Sequence, residues 1–150
     1  MEERSKNFRD FEKVVRNSLE KGNSISFSPA GKSMLPTIRS KKDLIIVSPF
    51  NKIEKYDVVL YLRKNGSIIL HRVVKVIDED NFVMCGDFQF LLEYPVNKSQ
   101  ILGVVTSIER NGKIIDCKKR NFLYNLYVHI WDLRLVLDKG LYFLKKLKNI

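Results

Sequence analysis

Cysteine is scarce in this chain. There are two in 150 residues, Cys85 and Cys117, too few for a disulfide framework, and no CxxC or HxxxH spacing supplies a zinc ligand set. Both are expected as reduced thiols that pack like small hydrophobes. Histidine is equally sparse, with only His71 and His129. No metal or cofactor is expected. No apolar run reaches the roughly 18 residues that a helical membrane span needs. The longest late uncharged run, residues 121–131, falls short. The opening segment, MEERSKNFRDFEKVVRN, is charged throughout and has no apolar core of the kind a secretory signal peptide carries. The expected location is therefore cytoplasmic or peripheral to a membrane. Acidic residues are also in deficit. Against 27 Lys and Arg there are 17 Asp and Glu, a formal charge of +10. Such a balance favours anionic partners: nucleic acid, lipid head groups or acidic peptides.

What the chain does have is apolar residues, at 45%, enough for one domain with a real core. Over residues 5–21, Phe8, Phe11, Val15 and Leu19 recur at helical spacing, and Gly22 can end the helix. From about Ser24 the period becomes that of strands. SISFS alternates, and DLIIVSP is a short apolar run closed by Pro49. DVVLYLR and SIILHRVVKVI flank KNG, a hairpin turn in which Gly66 supplies positive φ. NFVMCGD and ILGVVTSIER predict further strands, and NGK at 111–113 turns into IIDC. The expected fold is mainly β, with an N-terminal helix (1–22), a β core (23–117) and a basic amphipathic helical tail (118–150). The tail carries eight Lys or Arg and two Asp, hence +6. It reads either as a helix packed on the sheet or as one lying on an anionic membrane. In the second case Trp131, Tyr142 and Phe143 would sit at the interface and Lys145, Lys146 and Lys148 near the head groups.

Three residues could carry chemistry. Ser33 lies in AGKSMLPTI, just before the restrictive Pro36; taken alone it is a turn residue. A serine hydroxyl becomes a nucleophile only with a base in hydrogen-bond reach. His71 lies inside a strand in phase with Ile69 and Val73, where a histidine is more often structural, yet an imidazole suits general-base work near neutral pH. Asp87, in MCGDFQF, is a turn aspartate or an acid that fixes the histidine tautomer. His129, among the tail's aromatics, reads as packing or interfacial.

GKSMLPTI, then YDVVLYLRKNGSIILHRVVKV, then MCGDFQF together resemble, in order and spacing, the signal peptidase family of serine proteases. The resemblance covers roughly residues 24–109. It implies a signal-peptidase/LexA-like β-ribbon core and a Ser-His dyad of the endoplasmic-reticulum type. Ser33 would be the nucleophile, His71 the base and Asp87 its acidic partner. Met34 and Pro36 would shape the nucleophile turn, and Arg72 follows the base as in the family. The implied substrate is an extended signal- or leader-type peptide with small side chains before the cut. The chain departs from the family pattern at four places. Gly31 stands where a serine often helps bind the oxyanion, leaving that task to backbone N–H groups such as that of Ser33. Tyr56-Asp57 replaces Gly-Asp, Phe88 replaces a small or polar residue, and the N-terminal membrane anchor is expected to be absent. An inactive relative that binds peptides or membrane surfaces is the alternative. The LexA-like repressors use lysine as base and carry a separate DNA-binding domain for which the single helix leaves too little chain, which weighs against nucleic acid as partner.

Overall fold

The alternation of side chains along two central strands decides the architecture. The computed structural model describes residues 2–117, with side chains from Arg9 onward, and in the tail the isolated helical positions 130, 133, 136, 137 and 140. One helix, α1 (Glu2–Glu20), precedes eight strands: β1 (Ile25–Phe27), β2 (Leu44–Ser48), β3 (Val58–Leu62), β4 (Ile68–Val76), β5 (Asn81–Cys85), β6 (Glu93–Asn97), β7 (Ile101–Arg110) and β8 (Lys113–Asp116). They form an antiparallel sheet in the order β1-β2-β7-β3-β4-β5-β6, with β8 also paired to β7. The protein is thus mainly β, as its strand-period stretches predict.

Strand β3 reads VVLYL and is buried on both faces. Val58 and Leu60 enter a core with Val15, Leu19, Met34, Ile38, Ile45 and Val47. Val59 and Tyr61 point the other way, into a core with Ile53, Val73, Phe82, Met84 and Val96. Strand β7 divides likewise, Leu102, Val105 and Ile108 going to the first core and Ile101 and Val104 to the second. Its pairing slips by one residue against both β2 and β3. Each such bulge reverses which residues face inward and bends the sheet. Helix α1 covers the first core with Val15 and Leu19. Gly103 permits that approach, since a Cβ there would lie 2.6 Å from Val47 and 3.0 Å from Leu19. The helix therefore belongs to the same compact unit as the sheet, residues 1–118, while residues 119–150 form a second unit.

One strand, β6, has no counterpart among the sequence expectations. Strand β6, EYPVN, lacks a clear alternating apolar pattern; only Val96 is buried, and Pro95 is tolerated because the strand lies at the sheet edge. The membrane-contact candidates Trp131, Tyr142, Phe143, Lys145, Lys146 and Lys148, with His129, lie outside the described residues. The tail positions that are described, Ile130, Leu133, Val136 and Leu137, are helical and exposed. Among the described residues no helix is long and apolar enough to cross a membrane.

The long β1–β2 connection, which carries Ser33, is folded around Asp43. This fully buried carboxylate accepts from the Arg39 amide at 2.7 Å, Arg39 Nε at 2.9 Å and Arg110 Nη2 at 2.6 Å. Arg110 also donates to the Thr37 carbonyl at 2.7 Å, fastening the connection to β7. Burial opposes the charge on Asp43, but hydrogen bonds from Arg110 and Arg39 outweigh it and hold the carboxyl well below the usual carboxylate range. Its folded pKa is depressed, so its stabilisation is complete above about pH 4 and is lost as pH falls below that value. Asp43→Ala is expected to cost about 3 kcal/mol, the lower end for breaking a buried pair, because both arginines reach solvent. Denaturant unfolding at pH 7 checks the cost. The difference between variant and parent should shrink at pH 2 to 3.

Candidate active site

The segment AGKSMLPTI forms a tight turn rather than a strand. The Ile38 amide donates to the Met34 carbonyl at 2.8 Å and the Leu35 amide to the Lys32 carbonyl at 3.2 Å. Met34 and Ile38 are buried in the first core, so the turn is anchored on both sides of Pro36, whose bond to Leu35 is cis. Gly31 has φ +98° with open space around it. Its backbone conformation, not crowding, is what calls for glycine, so the family's serine could not stand there without strain. Ser33 is half-buried at the head of this turn, and its amide donates to no acceptor among the described residues.

His71 arrives from β4. It pairs with Val59 across the β3–β4 hairpin and is buried among the second core's neighbours, in phase with Ile69 and Val73 as the alternation predicts. The turn after β5 borders both segments, although among the described residues the Ser33 hydroxyl makes no hydrogen bond to His71. The Phe88 amide donates to the Ser33 carbonyl at 2.8 Å. A Cβ on Gly86 would lie 2.6 Å from that carbonyl oxygen and 3.1 Å from His71 Nε2. Both atoms therefore border the same small space, no more than about 6 Å from each other. Phe88 leaves this contact intact because its backbone makes it; the ring itself is exposed, as are Phe90 and Leu91 beside it.

Asp87 has a different partner from the one expected. Its carboxylate accepts from Arg72 Nε at 2.7 Å and Nη2 at 2.6 Å, and both residues are fully buried. Arg72 also donates to the Tyr56 carbonyl at 2.9 Å. Tyr56 adopts φ +78°, so the position filled by glycine in the family pattern keeps a glycine-like backbone despite its side chain.

The groups at His71 Nδ1 are Tyr61 Oη and Glu93 Oε1, each at 3.2 Å. Glu93 is in turn held by Arg63, whose Nε donates at 2.7 Å and whose Nη2 makes a second close bond. Burial pushes the His71 pKa below its ordinary value, with Glu93 and Asp87 pulling the other way. Burial likewise opposes ionisation of Glu93, but hydrogen bonds from Arg63 and Tyr61 hold its pKa below the ordinary value. Near neutral pH the site thus holds a neutral imidazole beside a carboxylate. Tyr61 and Arg63 could have been found from the KNG turn, whose register sets Val59 opposite His71 and places Tyr61 diagonally on the same face. Glu93 had no such signal, because its strand lacks alternation. Among the described residues no cluster of three His, Cys, Asp or Glu side chains could hold a metal.

No family model, curated protein or solved structure matches the chain.

Two substitutions probe this geometry. Gly86→Ala places a methyl where the Ser33 carbonyl and the imidazole already stand, and should destabilise by about 1–3 kcal/mol, the usual cost of overpacking. Asp87→Ala leaves Arg72 buried beside a vacated site and should cost about 3–5 kcal/mol. Urea unfolding measures both. A cost below about 1 kcal/mol for Asp87→Ala would mean that the guanidinium finds other partners.

Proposed function

We propose that the protein is a serine endopeptidase of the signal-peptidase type, with a signal-peptidase/LexA-like core and a Ser33–His71 dyad. The observation that carries this reading is the convergence of His71 Nε2 and the Ser33 turn on Gly86. A buried imidazole whose Nε2 borders a serine-bearing turn supports this reading, since in nucleophilic catalysis the hydroxyl must come within hydrogen-bond reach of its base. In the reaction, Nε2 takes the proton from Ser33 Oγ as the oxygen attacks the peptide carbonyl. The same proton then passes to the leaving amine. Water, deprotonated by His71, resolves the acyl-enzyme, and Ser33 recovers its proton. The Ser33 amide, which donates to no acceptor among the described residues, is the natural donor to the oxyanion.

The surroundings suit an extended peptide with a small residue before the cut. A pocket of about 90 Å³ adjoins Ser33, lined by Ala30, Gly31, Met34, Ile68 and Leu70 among others. Strand β5 pairs with β4 only from Arg72 onward, so among the described residues Ile68–Leu70 has an open edge beside that pocket. Such an edge accepts a substrate segment as an added strand. Phe88, Phe90 and Leu91 offer an apolar surface to a leader-type sequence. The +6 tail would hold the enzyme peripherally on an anionic membrane, where such peptides reside.

The test is cleavage of a proteome-derived peptide library with anionic vesicles present, with new termini read by mass spectrometry. Cuts should vanish in Ser33→Ala and in His71→Ala. Equal cleavage by Ser33→Ala sinks the proposal. Retained peptide binding without cuts would favour the binding-module reading instead. Because His71 acts as a neutral base and its pKa lies below the ordinary 6.5, kcat/KM should rise with pH along a limb whose midpoint falls below 6.5. Activity should then be level through pH 7.

A further inference from the structure

We infer that Glu93, clamped by Arg63, is the positioning residue that sets the His71 tautomer, the role the sequence assigns to Asp87. The inference rests on the peptidase reading and names the carboxylate of that same site. An ionised carboxylate is an acceptor only. Glu93 Oε1 stands 3.2 Å from Nδ1, so a lone pair on Nδ1 would face negative charge, whereas an N–H there is stabilised by the carboxylate. The proton therefore resides on Nδ1, and the lone pair on Nε2 is left facing the Ser33 turn. Tyr61 Oη, also 3.2 Å from Nδ1, is compatible with this state. Its hydroxyl proton turns to Glu93 while its oxygen stays open to the imidazole N–H. Without the carboxylate, Tyr61 could donate to Nδ1 and drive the proton to Nε2, where it would block proton uptake from serine.

Two features separate Glu93 from an incidental neighbour. Arg63 grips both carboxylate oxygens, and a bidentate guanidinium holds orientation as well as charge. Asp87 is committed to Arg72 in the same bidentate way, whereas Glu93 is the carboxylate that stands as an ion-pair partner at Nδ1. The charged and titratable groups acting on the imidazole are Tyr61 and Arg63 at the end of β3, Glu93 on β6 and Asp87 in the β5–β6 turn. Removing Glu93 or Arg63 takes away charges of opposite sign, so the two changes should move the imidazole in opposite directions.

The experiment uses the full chain with 15N-labelled histidine in a His129→Ala background, so that one imidazole remains. Long-range 1H–15N spectra between pH 7 and 8 should show the proton on Nδ1 in the parent. Glu93→Gln should shift population to the Nε2–H form and move the acid limb of kcat/KM to lower pH. It should also slow library cleavage by about 10²-fold or more, towards the roughly 10⁴-fold cost of turning an orienting carboxylate into its amide. Glu93→Asp should restore the tautomer and the acid limb with part of the rate. Arg63→Gln should move the acid limb upward, and it serves if Glu93→Gln does not fold. An unchanged tautomer and acid limb in Glu93→Gln, or limbs moving the same way in both variants, would overturn the inference. Should Ser33→Ala cleave like the parent, the peptidase reading fails, and the tautomer measurement still decides what Glu93 does to His71.

Discussion

The buried pair between Arg72 and Asp87 ties the rest of the site together. Arg72 is the residue after His71 and Asp87 the residue after Gly86. When the guanidinium grips the carboxylate through two bonds, strand β4 and the β5–β6 turn are fixed at the two positions adjoining the site. The same arginine reaches the Tyr56 carbonyl, which draws in the turn before β3. An ion pair of this kind adds little net stability over an apolar replacement of equal volume, because desolvating both charges offsets their attraction. Its contribution is register. Apolar residues would fill the space without specifying which turn meets which strand, and the narrow space at Gly86 tolerates no such slack.

Period-two alternation then gives adjacent residues of β4 separate duties. His71 shares a face with Ile69 and Val73, while Arg72 points to the opposite face. One residue carries the proposed chemistry and its neighbour supplies the clamp, so any slip that displaced one would displace both. Strands β3 and β7, buried on both faces, leave the sheet little freedom to make that slip. On the far side of the site the serine turn is held by different means. Met34 and Ile38 sit in the first core, and Asp43 gathers Arg39 and Arg110 around the connection. Two separate anchorages, the Arg72–Asp87 pair and the first core with Asp43, thus meet at the Gly86 space.

Much of this was legible in the residues, and the limits have physical causes. The strands rich in β-branched residues were readable because one or both of their faces are buried. The KNG and NGK turns were readable because their backbone requires a positive φ, which Gly66 and Gly112 supply. Ser33 and His71 could be singled out because a serine before proline and a histidine among aliphatics are unusual placements. Asp87 could be singled out too, but not its partner. A carboxylate one residue from the turn glycine can face either neighbour of the 71–72 pair, and only the strand's alternation in three dimensions chooses Arg72. Glu93 was beyond reach. It lies on an edge strand whose single buried residue leaves no periodic signal, and its contact with His71 depends on the bulged register of β5 against β6.

The electrostatics of the site follow from the same division of carboxylates. Two acids lie near one imidazole, each neutralised by its own arginine: Asp87 by Arg72 and Glu93 by Arg63. Had either acid been unpaired, its full field in a water-poor setting would favour the imidazolium. Pairing each acid with a guanidinium cancels most of that field at a distance while leaving the nearest oxygen able to accept a hydrogen bond. Burial then prevails, and the imidazole remains neutral. The hydrogen bond between Tyr61 and Nδ1 orients the ring, and the more distant charges sum to little. A histidine buried for the sake of packing alone would need neither acid. One that must stay uncharged, hold one tautomer and still accept a proton in passing has use for both pairs.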